Sequence, residues 1–121
     1  MKYLLILLTS FTLLSFSKKE NDKNSYVIEV TTYKIKASVS TENYWIEDAK
    51  VDTNYTSKQP GYISRESAYN EETKTFLVVA KWKSMKDAEA SMTKFMKDES
   101  VAKFANMIDG STMKMSRYLV K

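Results

Sequence analysis

The sequence predicts a single α+β domain in the order βαββαβ, and three observations lead there. Two runs rich in β-branched and aromatic residues, Tyr26–Lys36 and Thr75–Trp82, carry no Pro or Gly and read as strands. The second run follows another strand-like stretch across the short polar link "NEETK", the signature of a hairpin. Directly after Trp82, Met85, Ala88, Met92, Phe95 and Met96 recur at helical spacing and form one apolar stripe.

Ahead of this domain stands a leader. Lys2 supplies a positive n-region, Leu4 to Leu14 an apolar h-region, and Ser15 and Ser17 small residues at a cleavage site. The run is shorter than the roughly 20 residues of a membrane-spanning helix. Residues 1–17 are therefore expected to be a signal peptide, 18–25 a polar linker ("KKENDKNS"), and 26–121 the folded domain. The implied localisation is exported, periplasmic or secreted, with no stable membrane anchor after cleavage. "LLSFSKKE" is close to a lipoprotein signal, but Ser17 stands where the lipidated cysteine would be. The chain has no cysteine at all, so no disulfide framework supports it and the core alone must hold it together.

Element by element, "YVIEVTTYKIK" is the first strand. Ser40 or Thr41 caps a helix reaching about Ser57, with Glu42 near its positive end. Its apolar face is poorly defined, because Trp45 and Ala49 lie apart from Tyr44, Val51 and Tyr55. "QPG" ends it, since Pro60 disfavours helical geometry at Gln59 and Gly61 permits a turn. Tyr62–Tyr69 and Thr75–Trp82 make the hairpin, and Ser84 with Asp87 resembles a capping box for the second helix. Helical spacing resumes through Val101, Phe104, Ala105 and Ile108 after a break near Asp98–Ser100. "DGS" turns the chain into a last strand, Thr112–Val120. This order is the ferredoxin-like arrangement, a four-stranded antiparallel sheet with both helices on one face.

The third strand carries a further implication. Phe76, Val78, Ala80 and Trp82 point to one side, Leu77 and Val79 to the other, so both faces are apolar while helices cover only one. A second subunit's sheet is the simplest cover, which predicts a homodimer. Six of the seven methionines lie from Met85 onward and suit an adaptable interior or interface.

"QPGYISRES", "TKTFLVVAKWKSMKDAEASMTKF" and "MIDGSTMKMSRY" together resemble the antibiotic biosynthesis monooxygenase superfamily: a Pro-Gly turn before strand two, a tryptophan ending strand three, a helix opening with Ser and acidic residues, and an aspartate-containing turn before the last strand. The resemblance spans Tyr26 to Val120 and implies a dimeric α+β barrel. It implies a choice of functions, among them cofactor-free oxygenation of quinols or polycyclic aromatics and haem degradation. Trp82 matches the cavity-lining tryptophan of catalytic members. Val78 and Ala88 stand where polyketide oxygenases carry asparagine and tyrosine, and neither can donate a hydrogen bond or relay a proton. The iron-ligating histidine of haem-degrading members has no counterpart, because the chain has no histidine.

Without His or Cys the commonest bases, nucleophiles and metal ligands are missing, so no catalytic residue, metal or cofactor is assigned. The candidate ligand-binding residues are Trp82, Tyr69, Tyr118 and Arg117. Each has a plainer reading: Trp82 as core or dimer packing, the tyrosines as strand-end packing. Arg65 and Arg117 either pair with Glu66 or Glu29 across the sheet or fix an anionic ligand. Removing Lys2 with the leader leaves 18 basic against 15 acidic side chains, and their alternation in sign describes a solvated surface. An RNA-recognition module shares the element order, but "KTFLVVAKW" lacks its glycine, so no nucleic-acid partner is expected. The resulting expectation is an exported protein binding a small hydrophobic or aromatic molecule in the barrel cavity. Cofactor-independent monooxygenation and a non-catalytic structural or stress-related envelope role are the alternatives.

Overall fold

The computed structural model describes residues 24–121. The expected signal peptide and nearly all of the linker lie outside them. Four strands, β1 (Tyr26–Ile35), β2 (Tyr62–Asn70), β3 (Thr75–Trp82) and β4 (Ile108–Val120), form one antiparallel sheet in the order β2-β3-β1-β4. Helices α1 (Thr41–Asn54) and α2 (Met85–Phe95), with the short α3 (Ala102–Ala105), complete the ferredoxin-like α+β fold. No helix among the described residues is long and apolar enough to cross a membrane.

Local chemistry sets the helix starts. The Ser40 side chain accepts from the Asn43 backbone N–H at 3.2 Å, which satisfies one of the orphan donors at the start of α1. Ser84 does the same for Asp87 at 3.1 Å and donates its own hydroxyl proton to Asp87 Oδ2 at 2.9 Å. The Pro-Gly turn packs against this cap. Gly61 sits at φ +80°, and a Cβ there would come within 2.2 Å of Asp87 Oδ2, so both conformation and space require glycine.

Strand alternation decides the core. Val27, Glu29, Thr31 and Tyr33 of β1 and Phe76, Ala80 and Trp82 of β3 are buried under the helices. One cluster gathers Tyr33, Tyr44, Val51, Tyr55, Phe76, Val101, Phe104 and Ile108; a smaller one joins Val27, Ala80, Trp82 and Ala88. On the reverse face Ile28, Val30, Leu77 and Val79 are only half-buried, and none of the helices covers them.

Two expected boundaries are corrected. Helix α1 stops at Asn54, not Ser57, because the backbone leaves helical geometry at Tyr55 (φ −123°, ψ −69°); a 3₁₀ turn, Thr56–Lys58, follows. That departure places the Tyr55 ring against Phe95 and its hydroxyl on the Ser91 carbonyl at 2.8 Å. Strand β4 begins at Ile108, so "DGS" is not a turn before the strand but an excursion within it. Ile35 and Lys34 pair with Ile108 and Asp109, Thr32 pairs with Lys114, and residues 110–113 bulge opposite Tyr33. The bulge is tied down by Asp109, whose carboxylate accepts from Ser111, and by Thr112, whose Oγ1 accepts from the Lys34 N–H at 2.9 Å.

Candidate functional site

Between the helices and the sheet lies an apolar cavity of about 150 Å³. Ala80, Val78 and Trp82 of β3 line it together with Glu29, Thr31 and Tyr33 of β1, Arg65 of β2 and Met113 and Met115 of β4. Val51 and Tyr55 close it from α1 and the turn that follows, and Ser91, Met92, Phe95 and Met96 from α2. The cavity thus sits inside one chain, on the helix side of the sheet. The reverse face, where a second sheet would pack, does not line it.

Trp82 belongs to the cavity's inner end. It is 2% exposed, held by Val27, Ala80 and Ala88 and by an edge contact with Tyr62 at 6.3 Å between ring centres. Its Nε1–H is buried and has no hydrogen-bond partner. An indole N–H removed from water without an acceptor costs about 1–3 kcal/mol, and buried polar atoms in folded proteins are rarely left so.

The ionisable side chains on the wall are already engaged. Arg117 Nε donates to Glu29 Oε2 at 2.7 Å, the cross-strand pairing that strand register allows for residues directly opposite. Arg65 is corrected from its expected partner Glu66: neighbours along a strand point to opposite faces, and Arg65 Nη2 instead donates to Asp48 Oδ1 of α1 at 2.7 Å. Ser67 Oγ donates to the same oxygen at 3.2 Å. Both side chains of the Arg65–Asp48 pair are buried, and the guanidinium also lies 5.9 Å from the Phe104 ring centre. Tyr33 and Tyr44 share a buried hydroxyl–hydroxyl bond. Burial first, and then the nearby Asp48 charge, pushes the Tyr33 phenol up to about 12 against the lowering effect of the Tyr44 hydrogen bond, and burial likewise raises Tyr44 and Tyr55. None of these phenols offers a base near neutral pH. The pocket's chemistry is therefore neutral and apolar.

The remaining expected site residues are dispersed. Arg117 is in place but serves Glu29. Tyr69 packs on Phe76, with ring centres 4.5 Å apart, and lines a separate depression beside Asn70 and Leu77. Tyr118 pairs in register with Ile28 on the reverse face and is 57% exposed. Val78 lies in the cavity wall and Ala88 packs against Trp82. Sequence pattern did not single out Asp48 or Tyr33, and it marked the methionines of the wall only as suited to an adaptable interior or interface. Asp48 gave no signal, since its partner lies 17 residues away on another element.

No family model matches the sequence, and no curated protein matches it. Solved structures do. A protein assigned as an antibiotic biosynthesis monooxygenase from Bordetella bronchiseptica superposes with a TM-score of 0.66 at 7% identity, over 78% of this chain and 96% of that one. A similarly assigned protein from Nitrosomonas europaea gives 0.59 at 14% identity, over 77% and 88%. SnoaB, a cofactor-independent oxygenase from Streptomyces nogalater, gives 0.56 at 10% identity, over 80% and 92%. The chain thus has the fold of antibiotic biosynthesis monooxygenase-like proteins, as the resemblance implied.

Proposed function

We propose that the protein binds a small, neutral, mainly apolar molecule in the cavity beneath Trp82, anchored by one hydrogen bond from Trp82 Nε1–H. The unpartnered indole donor carries this reading. An acceptor atom on a ligand removes its penalty, and the surrounding wall rewards an apolar body. Size bounds the ligand, because about 150 Å³ suits one benzene-sized ring. Charge bounds it too: with Glu29 and Arg65 both neutralised by partners, the wall has no free ion to meet a charged group. A one-ring ketone or quinone-type molecule fits these limits, whereas a polycyclic aromatic exceeds them.

Cofactor-independent oxygenation, the activity of SnoaB, is the second reading, supported by the shared fold. In such chemistry the reduced substrate supplies the electrons, and the protein contributes desolvation and orientation, which this cavity can provide. Two further parts of the proposal rest on sequence pattern: export through residues 1–17, and pairing of two chains through the uncovered sheet face.

The test follows the indole N–H resonance of Trp82, assigned by Trp82→Phe, during titration with acetophenone, ethylbenzene and benzoate. Acetophenone shifts the resonance and binds about 2–10-fold more tightly than ethylbenzene, the ratio one net hydrogen bond supplies, while benzoate does not bind. In Trp82→Phe the two neutral probes become equivalent. Ethylbenzene binding as tightly as acetophenone to the wild type overturns the anchor; no binding by any probe leaves the structural role. Oxygen uptake with a one-ring hydroquinone, lost in Trp82→Phe, decides for the oxygenase.

A further inference from the structure

Four of the chain's seven methionines line this cavity, and they come from two elements, α2 with its C-cap and β4. Met92 and Met96 are four apart on α2 and its C-cap, a spacing that stacks them on one helix face. Met113 ends the bulge in β4 and Met115 lies opposite Thr31, and both line the cavity. Met96 is 76% exposed, Met113 43% and Met115 37%, while Trp82 is 2% exposed. The methionines therefore mark the cavity's outer end and the tryptophan its inner end. Apolar packing does not account for so many exposed thioethers at an opening, since an exposed side chain gains little from burial.

We infer that this opening is a binding site for a soft monovalent cation, Cu(I), held by methionine thioethers. Thioether sulfur is a soft, neutral donor that selects Cu(I) over hard or borderline cations. The surroundings reinforce that choice. No group of three or more His, Cys, Asp or Glu that could hold a metal occurs among the described residues. The carboxylate on the wall, Glu29, is committed to Arg117, so a hard cation finds no free charged oxygen there. Long, unbranched methionine side chains are flexible and suit an adaptable site. The bulge at residues 110–113 helps set where β4 presents Met113. Because a thioether carries no proton to lose, the affinity is flat between about pH 5 and pH 8, where a histidine site would weaken.

The experiment titrates the purified full chain with Cu(I), kept reduced by ascorbate under argon, against the chromophoric chelator bicinchoninate. Spectra of the chain labelled with ¹³C at its methionine methyls are recorded in parallel. One equivalent is retained, the methyls of Met92, Met96, Met113 and Met115 shift, and those of Met85 and Met107 stay. Met113→Leu with Met115→Leu, a volume-conserving change that keeps the core intact, weakens retention about tenfold or more. Met85→Leu leaves it unchanged. Complete loss of the metal to the chelator, equal shifts at Met85 and Met107, or full retention by the double leucine variant each overturns the site. The readout does not involve the organic ligand proposed at Trp82, so either idea can fail alone.

Discussion

Removing Asp48 strands the Arg65 guanidinium in the wall of the cavity, and the cost follows from the geometry. The two side chains meet at 2.7 Å, and they are 6% and 8% exposed. Ser67 adds a second bond to the same carboxylate oxygen. A surface pair would be worth at most about 1 kcal/mol, but deleting one member of a buried pair costs about 3–5 kcal/mol because the other charge is left without compensation. Against a total stability of about 5–15 kcal/mol, that is a large share. For a domain of this size about 4–8 °C of Tm accompany each kcal/mol, so Asp48→Ala lowers Tm by roughly 12 °C or more. Arg65→Met has a similar effect, and Asp48→Leu combined with Arg65→Met restores most of the loss, since packed apolar side chains replace both ions. Urea unfolding by circular dichroism at neutral pH measures all four proteins, with the slope m showing whether the denatured state has changed. Single losses below about 1 kcal/mol, or a double variant whose loss equals the sum of the singles, would refute the argument.

Stability also falls in alkali. Tyr33 titrates near 12 in the folded chain against about 10 when unfolded, so above about pH 10 the unfolded chain sheds a proton that the folded one keeps. The contribution is complete below about pH 10 and lost between about pH 10 and pH 12, about 3 kcal/mol for this group. Urea midpoints across that range fall in the wild type and less steeply in Tyr33→Phe; a flat wild-type profile contradicts the burial argument. For the proposed pairing of two chains, light scattering of the purified protein at micromolar concentration returns twice the chain mass, and Val79→Lys on the uncovered face returns a monomer. A wild-type monomer rules the pairing out.

Much of the fold was legible because its determinants are local. The alternation in β1 and β3, the Ser40 and Ser84 caps and the Gly61 turn each depend on residues within a few positions of one another. The Glu29–Arg117 pair was legible in part, because strand residues opposite in register must share a face. The candidate site was less so. Tyr118 and Tyr69 lie near strand ends as expected, but that position says nothing about which face a side chain takes or what lies beneath it. Where signal existed it was in spacing: Met92/Met96 follow the helical period, but only the fold brings them and Met113/Met115 to one opening.

The sequence by itself determined the element order, the caps and the apolar character of both faces of β3. It also determined the absence of histidine and cysteine, which narrows the chemistry open to any site the fold can build. Tertiary structure alone decided that Trp82 faces the helices, that its indole N–H ends without a partner, and that Arg65 reaches Asp48 and not Glu66. It also converted the expected turn at Asp109–Ser111 into a bulge within β4. The division has a physical basis. Backbone periodicity and capping are short-range and are written along the chain, whereas a cavity is what remains when α1, α2 and the sheet settle against one another. Its wall depends on side chains as far apart in sequence as Glu29 and Met115.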